Sequence, residues 1–498
     1  MSIRLVPAVS ACLLLAYGAP ALGQTNSSDK PTWWAKYQYL AANGPETCTG
    51  QPALKIGPNV DVSNECGPQS ETYVTINPAR PKILAGGSNE IFRLPMRGYF
   101  SSDGGTTWGG VDLPLPPAKG NGIDFGSDPS LAFDTRGNVF YSYIVVYFGN
   151  GNGINGTAMA VARSSDGGRT YPQTQLTLFS QEGGSGHFND KPMITADTNT
   201  ASPFRDSVYA AWDAATGGSP GGGVRFARSI DHGATFTVVR VDDPRGQGRA
   251  IGAVPFVGPN GEVYVAWNDF AANTIAFNRS LDGGVTWGQP ITVSRKRLPF
   301  DIAIPAEFNR GALVYPACDA DRSAGPHRGR LYCSWMDLLS AGNTDILASF
   351  SDDGGNTWSA AQSVTDQPTG VDRFNHWMAV DPITGDVNVS FYDTRNDTTG
   401  ARFMTDIYFS QSRTGGTSWL PNVRVTDVSS NEHDCAGVFP CRAINYGNQQ
   451  GDYAGLASFG GVSHAIWTDS RDQLDPLAGC LTGLVMEEVF TATIAARK

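Results

Sequence analysis

The chain is short of positive charge: 36 Lys and Arg stand against 47 Asp and Glu, a formal net charge of -11. A surface of that sign repels a polyanion, which excludes non-specific nucleic-acid binding. Long apolar runs are absent beyond the first two dozen residues, so no later segment reads as a spanning helix. Low-complexity tracts are absent, and so is the acidic-residue spacing of an EF-hand loop. Cysteine is sparse, with eight residues in 498. None stands at the N-terminal cleavage point, which excludes a lipoprotein anchor.

What is present begins with MSIRLVPAVSACLLLAYGAPALGQ. One arginine, an apolar run and small residues before Gln24 predict a signal peptide over 1–23, and so a secreted or periplasmic protein without membrane insertion. Cys12 is lost with it. In an exported chain the other cysteines are expected in disulfides. Cys435 and Cys441 enclose a short loop. Cys318 and Cys333 flank neighbouring strands and could pair across them. Cys48, Cys66 and Cys480 form an odd set, which should leave one thiol free.

One octet recurs: SSDGGTTW from Ser101, SSDGGRTY from Ser164, SIDHGATF from Ser229, SLDGGVTW from Ser280, SDDGGNTW from Ser351 and SRTGGTSW from Ser412. Its short acid can accept backbone N–H bonds and close a turn, and its glycines supply positive φ. The terminal aromatic can pack between sheets. Between octets lie short β-branched and aromatic runs such as PSLAFD, GNVFYSYIVVY and AMAVARS, bounded by Gly, Asn and Asp. Each unit reads strand, strand, strand, octet, strand. Four strands per repeat predict an all-β fold, a β-propeller of antiparallel four-stranded blades. Six octets would allow six blades. The three strands after NVRVTD (422–427) point to seven, with IGPNVDVSN (56–64) supplying the outer strand of the last. An N-terminal strand then closes the ring over 56–498, and 24–55 is a leader.

The octets resemble the Asp-box, or BNR repeat, of sialidase-type propellers, and the resemblance covers most of the chain after 56. It implies that the octet turns lie on the face opposite the active site and are structural. Phe92-Arg93-Leu94-Pro95 resembles the Phe/Tyr-Arg-Ile-Pro motif of sialidases. It falls between the second and third strands of a blade, however, whereas in sialidases it opens the first blade. The seventh blade also departs from the six-bladed sialidase plan. None of that family's catalytic residues is therefore carried over.

Chemistry is expected where first strands begin and second strands end. Asp393, Arg395, His376 and Tyr453 are the catalytic candidates, as acid, base, carboxylate clamp or proton shuttle. His187, Asp190, Lys191, Arg310, Asp337, Arg373, Asp452, Asp469 and Arg471 are the substrate-binding candidates. The alternative for the repeated acids is that they bind loop amides at strand ends. The resemblance and this charged mouth together imply a carbohydrate-active enzyme on acidic glycans, either a glycoside hydrolase or a polysaccharide lyase. The rival expectation is a non-catalytic propeller that binds glycan or protein. No cofactor is expected, although the Asp-rich loops could seat a structural calcium ion.

Overall fold

The computed structural model describes residues 54–496 except 92, 119–122, 149–153, 184–188, 215–221, 247, 340–341, 367–369, 434–448 and 472–486, together with five helical positions between 34 and 42. The chain divides into two compact units, the larger being Leu54–Ala495. In the smaller one, the Trp34 and Tyr37 rings stack 5.1 Å apart. The expected signal peptide lies outside the described residues.

The larger unit is a β-propeller of seven blades, each with four antiparallel strands. The innermost strands of blades 1 to 7 are Gln69–Ile76, Asp124–Phe133, Asn189–Ala196, Ala250–Val257, Pro316–Ala320, Arg373–Val380 and Gly455–Phe459. In blade 7 the chain-terminal strand Glu488–Ala496 pairs with Leu54–Ile56 and Val60–Asp61. The ring is thus closed by the N-terminal strand, and no blade needs an exposed edge where the chain ends meet. Second strands are buried on both faces, as in Val139–Tyr147 and Val387–Asp393. That accounts for their continuous apolar runs. Trp212, Trp267, Trp335 and Trp467 fill equivalent places near second-strand ends and are fully buried.

The octets link third to fourth strands in blades 1 to 6. In the first, Ser101 Oγ donates to Asp103 Oδ1 at 2.8 Å and accepts from Gly105 N at 3.0 Å. Asp103 Oδ1 accepts the N–H groups of Thr106 and Thr107, both at 3.0 Å, and Trp108 Nε1 donates to Gly105 O. Gly105 sits at φ +83°. These bonds hold the Asp103 carboxyl down at about 2, with the Thr107 hydroxyl the largest cause. In the last octet Thr414 Oγ1 takes the acid's place and accepts Ser418 N at 3.0 Å.

Cys318 and Cys333 are opposite each other in adjacent strands and form a disulfide. Cys66 is disulfide-bonded as well. Cys48, Cys435, Cys441 and Cys480 lie outside the described residues.

Candidate functional site

Five innermost strands share one irregularity. Their pairing with the second strand slips at Ser70/Tyr73, Ser127/Ser130, Asp190/Met193, Ile251/Val254 and Phe374/Trp377. Each slip sets two residues opposite one, and the first of each two has positive φ: Glu71 +54°, Asp128 +60°, Lys191 +49°, Gly252 +69° and Asn375 +44°. A left-handed backbone costs a non-glycine residue about 1 kcal/mol or more, and bulges of this kind re-aim side chains. Only blade 4 uses the residue that adopts it without strain.

The bulges turn polar groups toward one another at the channel mouth. Glu71, 2 % exposed, accepts from Asn89 Nδ2 at 2.5 Å, and Asn89 Oδ1 accepts Asp128 N at 2.7 Å. Asp128 Oδ2 accepts Lys191 N at 3.2 Å, and Asp190 Oδ1 accepts the same N–H at 3.0 Å. Asp213 Oδ1 accepts Gly252 N at 3.0 Å. From blade 7, Asp452 holds Arg310 through Nε at 2.7 Å and a terminal nitrogen at 2.8 Å, and accepts Tyr315 Oη at 3.0 Å. Arg310 also approaches Glu71 Oε1 to 4.0 Å. It reaches the mouth on an insertion between blades 4 and 5, whose pairing is Asp301–Ile302 with Ala312–Leu313. The Lys191 ammonium is buried over two rings, 3.3 Å from the Tyr453 centroid and 3.8 Å from that of Tyr315. Among the described residues its Nζ has no hydrogen-bond partner.

Burial, then the charges of Asp128 and Asp452, push the Glu71 carboxyl well up. Burial and the Asp128 and Asp213 charges do the same to Asp190. Asp128 is held down against its own burial by hydrogen bonds with Glu71 and Asp190 and by the Lys191 charge. Adjacent carboxyls sharing protons are thus split into donors and an acceptor, the condition for acid–base work. Burial lowers Lys191 to about 8, although the surrounding acids oppose it.

The structure therefore gathers Asp190, Lys191, Arg310, Asp452 and Tyr453 from the predicted set. Tyr453 Oη donates to Pro129 O at 3.0 Å, so it braces the blade 2 bulge. His376 is buried beside this layer, and burial lowers its ring to about 4.

Other candidates are placed elsewhere. Asp393 is shared by Arg373 Nε at 2.8 Å and Arg395 at 2.7 Å, while Asp345 takes a second Arg373 nitrogen at 3.3 Å. Arg395 also binds Asp366 at 2.9 Å and lies 4.1 Å over the Tyr408 ring. Blade 7 repeats the device: Arg471 binds Asp469 at 2.8 Å and Asp427 at 2.6 Å and covers Phe490 at 4.3 Å. Asp337 accepts the N–H groups of Arg297 and Leu298, both at 2.9 Å, and so holds a loop. Arg93 pairs with Glu65 at 2.8 Å and Asp112 at 2.5 Å, between the second and third strands of blade 1. His187 and Phe92 lie outside the described residues. Among those described, no three His, Cys, Asp or Glu side chains converge on a metal position, and no helix is long and apolar enough to cross a membrane.

Glu71, Tyr315 and Asn89 join the cluster without having been singled out in the sequence. A signal for two of the bulges was available. Pro129 and Pro192 follow the left-handed residues of blades 2 and 3, and a proline inside a strand marks a bulge or an edge.

No family model and no curated protein matches the chain. Among solved structures, a Hadza microbial sialidase is similar at 15% identity and a TM-score of 0.45, over 65% of this chain and 63% of that one. A leech intramolecular trans-sialidase is similar at 12% and 0.46, over 80% and 73%. An ulvan lyase, a polysaccharide lyase, is similar at 12% and 0.41, over 72% and 80%. Likenesses of this degree assign no residue a role. In architecture the chain is a seven-bladed β-propeller.

Proposed function

We propose that the protein is an exported carbohydrate-active enzyme that cleaves acidic glycans at the mouth formed by blades 1, 2, 3 and 7 and the segment between blades 4 and 5. The carrying observation is the convergence of Glu71, Asp128, Asp190 and Asp452 around Lys191, on backbone strained at three of these positions. Strain and like-charge crowding both cost stability, and function is the usual reason a fold keeps them. Asp452 accepts the Tyr315 hydroxyl and is the base that would activate it. Glu71, kept protonated by burial, is the proton donor. The open part of Arg310 takes the carboxylate of the sugar. Glu71 and Asp128 touch, so they cannot be the separated carboxyl pair of an ordinary glycosidase, which stands roughly 5 Å or more apart. The second group is Tyr315. It would attack the anomeric carbon in hydrolysis, or take the proton beside the carboxylate in elimination.

The rival reading is a binding propeller without turnover. It is favoured by the arginines: Arg310, Arg373, Arg395 and Arg471 all pair with the protein's own acids. Purified protein assayed on sialosides, neutral glycans and uronate polysaccharides decides between them, with reducing-end release and unsaturated-uronate absorbance as readouts. Turnover lost in Tyr315→Phe and Glu71→Gln supports the enzyme, and the readout names the reaction. Saturable binding with no turnover on any substrate overturns it.

A further inference from the structure

A second hollow lies away from the charged mouth. A cavity of about 510 Å³ runs up the channel from the octet face, walled by inner-strand segments of all seven blades. Tyr73 and Trp377, packed edge to face at 5.4 Å, stand at its inner end. Beyond them come Tyr453, 6.2 Å from Trp377, and Lys191, neither of which lines the cavity. The channel is therefore a blind pocket, stopped by the layer that carries the mouth cluster. Its volume falls within the roughly 300–1,000 Å³ typical of small-molecule sites.

The walls carry aromatic and aliphatic side chains, including Leu131, Ile194, Phe256 and Leu456, together with several threonines. Among the described residues that line it, two carry charge, Arg322 and Asp319. Their hydrogen bonds are unequal. Asp319 already accepts Ala320 N at 2.8 Å, Val380 N at 3.0 Å and Arg322 at 3.3 Å. Arg322 offers five N–H donors, of which that long contact is the only one made among the described residues. Its Nε is buried with no partner among the described residues, and its side chain keeps 18% of its surface open. The pocket thus joins apolar side chains to spare donors at an Arg322–Asp319 ion pair.

We propose that this pocket is a second binding site, distinct from the mouth, for a small organic anion with a flat apolar body and one carboxylate or sulfonate group. Arg322 takes the anionic group in its planar fork, and the body lies against Trp377 and Phe256. The site needs no contribution from Glu71 or Tyr315.

The probe is 8-anilinonaphthalene-1-sulfonate on the full chain, followed by fluorescence titration. One molecule per chain is expected. Arg322→Gln should weaken it by tenfold or more, while uncharged N-phenyl-1-naphthylamine binds as before. Ala379→Phe, which fills the pocket from its wall, should abolish both, and Glu71→Gln should change neither. Phenylacetate and decanoate should displace the sulfonate, which tests carboxylates. If Arg322→Gln fails to fold, wild-type protein still decides, because the anionic probe should bind at least tenfold more tightly than the neutral one. A channel that holds only water would show no saturable probe binding, or binding indifferent to Ala379→Phe, and either result overturns the proposal.

Discussion

Two acidic regions of this molecule use the same residue types in opposite ways. In blades 6 and 7, Asp393 and Asp469 each end a second strand and each accept two guanidinium N–H groups of the arginine two residues on. Every charge there has its opposite, and each guanidinium lies on an aromatic ring of the third strand. At the mouth, among the described residues, only Asp452 has a direct arginine partner, Glu71, Asp128 and Asp190 crowd together, one lysine serves several of them without a direct bond, and the backbone is left-handed beneath Glu71, Asp128 and Lys191. Paired charge is how the fold holds itself. Crowded like charge on strained strands is what a fold keeps when chemistry requires it.

The sharpest way to break this contrast is to change one acid in each region and compare activity with stability. Glu71→Gln keeps shape and removes the proton donor. Glycan turnover is expected to fall about 10²–10⁴-fold, the range for loss of a general acid, with the urea midpoint unchanged or raised. Asp393→Ala should do the reverse. It leaves Arg373 and Arg395 facing each other without their shared acid, and loss of one partner of a buried pair costs about 3–5 kcal/mol. Equilibrium unfolding measures that loss. If Asp393→Ala abolishes turnover in a fully stable protein, the division between clamp and mouth is wrong.

The contrast also explains what could be read from the sequence. Octets and strands were legible because they are local. Serine, acid and glycine at fixed offsets make one turn wherever they occur, as Ser101, Asp103 and Gly105 show. The closing strand was legible because blade 7 runs out of chain after three strands. The partners of each charge were not. Asp393, Arg395, Asp469 and Arg471 have the residue types of a carboxylate clamp, yet each arginine's target is the chain itself. Glu71 was hidden for another reason. Gln69–Ile76 opens on four polar residues with nothing to single one out, and only the register slip against Leu84–Glu90 turns Glu71 toward the mouth.

A smaller effect tests the strain directly. Gly252 occupies the left-handed position of the bulge in blade 4, and an added Cβ would stand 2.4 Å from the Tyr315 ring. Gly252→Ala should therefore lose about 1 kcal/mol or more from φ alone, and should shift Tyr315 off Lys191. Asp128→Gly makes the opposite exchange: the strain goes, and so does the acid. It should gain stability in thermal unfolding while losing turnover. A protein destabilised by Asp128→Gly would mean that the acid is there to hold the bulge.

The smallest expected effect is on pH dependence, and it separates the octet acids from the buried ones. Asp103 and Asp353 are both held at about 2, with the hydroxyl of the threonine four residues on as the largest cause. A depressed carboxyl contributes stability above its unfolded value of roughly 3.9, and that contribution is lost as pH falls toward 2. Glu90 is raised to about 8 by burial and then by the Glu65 charge, and Glu432 to about 7 by burial. A raised carboxyl has the opposite sign. Folding is favoured while both states hold the proton, and the advantage drains away as pH climbs from roughly 4.3 through the folded value. The melting temperature should thus peak near pH 4–5 and decline steadily to pH 8. Glu90→Gln cannot ionise, so it should flatten the decline on the alkaline side and leave the acid limb alone. Asp353→Asn should soften the acid limb and leave the alkaline side alone. Parallel curves for wild type and Glu90→Gln would show that Glu90 is already ionised in the folded protein, with the neighbouring Arg93 and Arg97 outweighing its burial.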